Sequence, residues 1–110
     1  MSKGVQRNNE FFRPKKPYLD RAVYFIVCND EFVKIGFSDG KVLARIKSVI
    51  GGIPYPCQVA LILHGKGHAF EQELHVHFNS ARTKGEWFRF TPEIREFIKN
   101  AQLQNTPVSI

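Results

Sequence analysis

One stretch limits what this chain can fold into more than any other: Arg21 to Phe37, reading Arg-Ala-Val-Tyr-Phe-Ile-Val-Cys-Asn-Asp-Glu-Phe-Val-Lys-Ile-Gly-Phe. Val23 to Val27 and Phe32 to Phe37 are rich in β-branched and aromatic residues, and the polar Asn29-Asp30-Glu31 between them suits a tight turn, so a β-hairpin is expected. Both runs are too apolar for simple alternation, which places the pair in a sheet covered on both faces. Polar groups inside such runs need a reason. Tyr24 and Lys34 carry groups that are costly to bury unpaired, and Gly36 weakens a strand interior. Tyr24 on its own reads as a core aromatic whose hydroxyl reaches the surface.

Val23-Tyr24, followed ten residues later by Lys34-Ile35-Gly36, resembles the paired half-motifs of the GIY-YIG nuclease superfamily. Gly52-Ile53-Pro54, Glu71-Gln72-Glu73-Leu74-His75 with Phe78, and Arg82 ahead of Gly85-Glu86-Trp87-Phe88 resemble the bacteriophage-type DNA-binding branch of that superfamily, the branch related to the meiotically up-regulated gene family. The resemblance covers Ala22 to Phe90 and rests on the order and spacing of the fragments together.

The remaining chain accommodates such a domain. Its 110 residues suffice for one core, and 43% hydrophobic with 13% aromatic residues supports a packed fold without staples. Sixteen Lys and Arg against ten Asp and Glu give a net charge of +6, which favours a polyanionic partner, nucleic acid before membrane. Cys28 and Cys57 lie far apart and share no metal-type spacing with the histidines, so reduced, buried thiols are expected. The absence of an apolar run of membrane-spanning length, and of a signal-peptide pattern, predicts a cytoplasmic protein, nuclear in a eukaryote, and not a secreted one.

Residues 1–20 hold Lys3, Arg7, Arg13, Lys15 and Lys16 with Pro14 and Pro17 and no periodicity, and are expected to form a basic, partly disordered arm. After the hairpin, Ser38-Asp39-Gly40 reads as a turn and helix cap, and Val42, Ile46, Val49 and Ile50 recur at helical spacing up to Gly51-Gly52. Arg45 falls about 60° from Val42, at the edge of the apolar stripe. Cys57 to His64 reads as a third strand. From His68 to about Ala81 the helical pattern resumes, with Phe70, Leu74, His77, Phe78 and Ala81 towards the core; Glu71, His75 and Arg82 then fall within about 40° of one another on one polar seam. Spacing alone equally allows a solvated face with one carboxylate–imidazole contact. Glu86 to Phe90 reads as a short strand or edge segment whose Trp87, Phe88 and Phe90 close the core. Thr91-Pro92-Glu93 opens a last helix with Ile94, Phe97, Ile98 and Ala101 as its apolar face. The expected architecture is α+β, a small three-stranded mixed or antiparallel sheet flanked by helices, in a domain spanning 21–101 with a frayed tail over 102–110.

The resemblance implies roles. Tyr24 would activate the attacking water, with Lys34 as the cation that makes it a better base; Arg45 would grip the scissile phosphate; and Glu71 would hold a single Mg²⁺ or Mn²⁺. Lys34 stands where the superfamily's second motif has tyrosine, and Val49 where many members place a histidine, whose space His75 could take from the second helix. Lys34, Lys41, Arg45 and Arg82, with Lys15 and Lys16 of the arm, are the candidate phosphate contacts. Two functions compete: a metal-dependent DNA endonuclease, and a non-catalytic DNA-binding module on the same fold. A small basic interaction domain, whose tyrosine and glutamate are ordinary structure, is the third. No helix carries the Arg, Asn or Gln cluster that base edges demand, so sequence readout is not expected. Cutting both strands with one small site would call for a homodimer or a larger host complex.

Overall fold

The computed structural model describes residues 21–105; Lys15, Lys16 and the rest of the expected arm lie outside them. The hairpin forms as expected. Strands β1 (Ala22–Cys28) and β2 (Phe32–Ser38) pair antiparallel, with Tyr24 opposite Gly36 and Ile26 opposite Lys34. Asn29 and Asp30 both take positive φ, 57° and 53°, and Glu31 N–H donates to the Cys28 carbonyl, the backbone of the tight hairpin turn whose twist matches that of the strands. Helix α1 (Val42–Gly51) follows, then β3 (Cys57–His64), helix α2 (His68–His77), a 3₁₀ turn (Asn79–Ala81), the short strands β4 (Arg82–Lys84) and β5 (Trp87–Arg89), and helix α3 (Pro92–Asn105).

The sheet has five strands in the order β3-β1-β2-β5-β4, and every pair is antiparallel, which corrects the expected three-stranded, optionally mixed sheet. The two strands beyond the expected three have three residues each: β5 lies within the Glu86 to Phe90 segment read as a short strand or edge, and β4 was not foreseen. Arg82-Thr83-Lys84 is polar throughout, and a run this short gives period-two alternation nothing to show. The strands meet at Gly85, whose φ of +57° suits a residue without a Cβ.

All seven residues of β1 are buried, as its central place requires, and the sheet is covered on both faces. On one side Val23, Phe25, Val33, Ile35 and Phe88 pack with Leu74 and Phe78 around α2 and with Ile94 and Ile98 of α3. Phe97 stacks on Phe25 and meets Phe78 edge-on, both at 5.6 Å between ring centres. On the other side Ala22, Tyr24, Ile26 and Cys28 pack with Val42 and Ile46 of α1, and Trp87 and Ile62 lie against them. Phe88 is fully buried, whereas Trp87 and Phe90 are half-buried, less than expected for residues closing the core.

Helix ends account for two further differences. The Ser38 hydroxyl bonds within its own turn, to Gly40, and Lys41, in the left-handed region at φ 50°, holds the N-cap position without a side-chain cap. Helix α2 stops at His77, which is exposed, so Arg82 opens a strand and does not continue the helical seam of Glu71 and His75. The start of α3 is as expected, with Ile94 N–H donating to the Thr91 hydroxyl, but α3 runs to Asn105, into the stretch read as tail. No helix among the described residues is long and apolar enough to cross a membrane.

Candidate functional site

On the β2 side, strand β5 pairs with Phe32, Val33 and Lys34 alone, and one further bond, Ile35 N–H to the Glu86 carbonyl at 3.0 Å, closes the ladder. The Ile35 carbonyl is taken by a side chain instead of a strand: His75 Nε2 lies 2.9 Å away. Side chains from both faces of the sheet approach one another around this point, where β5 ends and the rest of β2 runs on.

Tyr24 belongs to the α1 face. It is fully buried, and its ring crosses Gly36: a Cβ there would stand 2.5 Å from Cζ and Oη of the tyrosine. Gly36 is therefore the residue that lets Tyr24 lie flat across β2. The Tyr24 hydroxyl makes no hydrogen bond of ordinary geometry, but the Arg45 guanidinium faces it closely enough to be its polar partner. Arg45 is itself exposed, and its pKa is raised above the usual value, first by the interaction with Tyr24 and less by the charge of Glu86. The expected arginine at the edge of the apolar stripe is thus in place beside the tyrosine.

Lys34 is engaged by Glu86. The strand register sets it opposite Ile26 and Trp87, two positions along β2 from Gly36, roughly 7 Å away. Its ammonium lies 2.9 Å from Glu86 Oε1 and 5.6 Å from the centre of the Trp87 ring.

Glu71 comes from the first turn of α2 and is buried at 2% exposure. Its Oε1 has weak neighbours, Gln72 Nε2 at 3.5 Å and His68 Nε2 at 3.6 Å, and its Oε2 accepts no hydrogen bond, with His75 Nε2 3.8 Å away. Burial pushes the Glu71 carboxyl above its ordinary range, and the neighbouring Glu86 carboxyl pushes it further. Glu86 goes the other way. Burial would raise it, but Lys34 chiefly, with help from Glu71 and His75, holds it below the usual carboxylate range. The two carboxyls divide the work of one shared site, Glu71 favouring the proton and Glu86 the charge.

His75 is committed by its partners. Arg82 Nη2 stands 3.0 Å from Nδ1, and a guanidinium can only donate, so Nδ1 accepts and the ring proton sits on Nε2, where it bonds the Ile35 carbonyl. Arg82, placed on β4, still meets His75 and also lies over the Phe88 ring at 5.5 Å. This histidine braces α2 to the sheet edge. It does not stand free as a proton acceptor.

Glu86 is the site residue that residue-by-residue reading did not single out. Its signal was a lone carboxylate between Gly85 and the apolar Trp87-Phe88, a costly position without a cation such as Lys34. Lys41 is exposed and shares a shallow surface cleft with Phe37, Asp39, Arg45 and Ser48, leading from the Tyr24–Arg45 pair over the N-terminus of α1.

Among the described residues no three His, Cys, Asp or Glu side chains group as an all-protein metal shell. Mg²⁺ seldom needs one, since it keeps waters and binds through one or two carboxylates plus substrate phosphate. The buried, unsatisfied Oε2 of Glu71 beside a second carboxyl fits that hard, oxygen-seeking ion. Compared with known proteins, the chain matches no family model, no curated protein and no solved structure.

Proposed function

We propose that this chain is a metal-dependent DNA endonuclease module of GIY-YIG type, hydrolysing phosphodiester bonds at the edge of β2. The observation that carries the reading is the Glu71 carboxyl: buried, beside the second carboxyl of Glu86, and with its Oε2 accepting no hydrogen bond. A structural glutamate in that position would be stabler as an amide or an apolar residue. Glu71, with Glu86 beside it, would hold Mg²⁺ or Mn²⁺, which when bound supplies charge stabilisation at the leaving oxygen.

The remaining steps belong to the chain's own groups. Arg45 is exposed and would turn from Tyr24 to a phosphate in the cleft it shares with Lys41, holding the reacting group in line. Tyr24, uncovered as Arg45 turns and having given its hydroxyl proton to solvent, takes the proton from the attacking water as its phenolate. Lys34 keeps Glu86 ionised, and His75 with Arg82 fixes α2 and so the position of Glu71. Lys41 and Arg82, with Lys15 and Lys16 outside the described residues, add phosphate contacts without sequence preference.

One observation favours the second reading, a non-catalytic DNA-binding module: Tyr24 is fully buried, and a water-activating group must be reachable. Nicking of supercoiled plasmid separates the two. The nuclease reading expects conversion to open circles with Mg²⁺ or Mn²⁺, none with EDTA, and a rate about 10² to 10⁴ lower for Tyr24→Phe, which removes only a hydroxyl. Micromolar binding with no divalent-dependent nicking on duplex, branched or single-stranded DNA supports the binder.

A further inference from the structure

Cys28 and Cys57 were expected to be unrelated buried thiols, yet the fold brings them together. Cys28 ends β1, Cys57 begins β3, and the antiparallel register sets their Cα atoms directly opposite. Such partners lie about 4.5–5.5 Å apart, inside the roughly 4.4–6.8 Å that a disulfide spans. Their sulfurs are 2.6 Å apart, closer than two thiols rest in ordinary contact, and both are free. Asn29 N–H to the Pro56 carbonyl, at 2.8 Å, ties the same two strand ends together next to the sulfurs.

We propose that Cys28 and Cys57 form a dithiol site for thiol–disulfide exchange, taking a small-molecule disulfide such as glutathione disulfide as co-reactant. The order of attack follows from exposure. Cys57 is half-buried and lines an open hollow with Asn29, Asp30 and Gln58, whereas Cys28 is buried. The Cys57 thiol loses its proton, its sulfur attacks one sulfur of the glutathione disulfide, and one glutathione thiolate leaves. The Cys28 thiol in turn loses its proton, its sulfur attacks the Cys57 sulfur of the mixed disulfide, and the second glutathione thiolate leaves. The protein dithiol is oxidised by two electrons, glutathione disulfide is reduced to two thiols, and the protons given up by the cysteines are the ones the glutathione thiolates take. Burial and the neighbouring Cys57 push the Cys28 thiol up to about 12, which makes it the resolving and not the attacking sulfur.

The bond would close a loop that contains all of β2 and α1, and so Lys34, Gly36, Lys41 and Arg45, half of the site described above. The inference stands on strand register and does not depend on any nuclease activity.

Purified, reduced protein is titrated through glutathione redox buffers and followed by intact mass, peptide mapping and thermal melting. The expected result is a species lighter by two hydrogens, with Cys28 and Cys57 in one linked peptide pair, monomeric, melting on the order of 10 °C higher than the reduced protein. Cys28→Ser should stop at the mixed disulfide on Cys57, which shows the order of attack. Both thiols remaining open to alkylation in the most oxidising buffer would overturn the proposal, as would linkage only between separate molecules.

Discussion

The ring of Tyr24 lies across Gly36 on the neighbouring strand, so close that a single added carbon at Gly36 would stand 2.5 Å from the tyrosine's Cζ and Oη. Gly36→Ala cannot keep this arrangement, since neither the backbone of β2 nor a fully buried ring has room to yield. A loss of about 1 to 3 kcal/mol is expected from overpacking. Denaturant unfolding of Gly36→Ala, alone and combined with Tyr24→Ala, checks it: the alanine at 36 should cost far less once the ring is gone.

Glu71 and Glu86 give stability opposite pH dependences. The folded Glu71 carboxyl is raised from 4.5, so the native state holds a proton the unfolded chain has already released. That term of stability is full below 4.5 and declines as pH rises to the raised value. Glu86 is lowered from 4.5, and its contribution is present above 4.5 and disappears as pH falls through its folded value. Glu71→Gln removes the first effect. It should therefore be more stable than the parent at neutral pH without divalent ions, by about 1 to 3 kcal/mol as one unsatisfied buried group is relieved, with no advantage in acid. Urea unfolding of both proteins at neutral and acid pH measures this.

Loss of the His75 ring should leave the Ile35 carbonyl and the Arg82 guanidinium without their bonds. His75→Phe keeps the ring volume against Phe88 and is expected to cost about 1 to 3 kcal/mol through the buried carbonyl it orphans. In the parent, nitrogen-detected NMR should find the proton on Nε2. A proton on Nδ1 would contradict the assignment.

The two aromatic residues of β5 should differ. Phe88, fully buried, is expected to cost about 3 to 5 kcal/mol on replacement by alanine. Trp87 is only half-buried beneath the Lys34 ammonium, so Trp87→Ala should cost less than Phe88→Ala in the same unfolding experiment.

The legible and illegible parts of this fold separate by the range of the signal. The β1–β2 hairpin and the start of α3 were readable because their signals are local: two dense apolar runs about a polar turn, and a hydroxyl, proline and carboxylate in sequence. Strand β5 falls inside the Glu86 to Phe90 segment already readable from its aromatic residues, whereas β4 escaped because three polar residues cannot display a period, and the end of α2 because Phe78 and Ala81 stay buried after the helix has stopped. In the site, helical angle put Arg45 at the edge of the apolar stripe, whereas its meeting with Tyr24 depends on how α1 packs on the sheet, and Lys34 pairing with Glu86 on the register between β2 and β5, both long-range facts. The facing of Cys28 and Cys57 is of the same kind.

The claim that Glu71 exists to hold a divalent ion is tested most directly by measuring DNA affinity and Mn²⁺-dependent plasmid nicking on the same preparations of parent and Glu71→Gln. A carboxylate facing phosphates weakens binding when no metal is present, so the variant should bind duplex DNA in EDTA as tightly as the parent or more tightly, and should nick none of it in Mn²⁺. Nicking by Glu71→Gln at the parent's rate, or an equal absence of nicking in both proteins, would contradict the account.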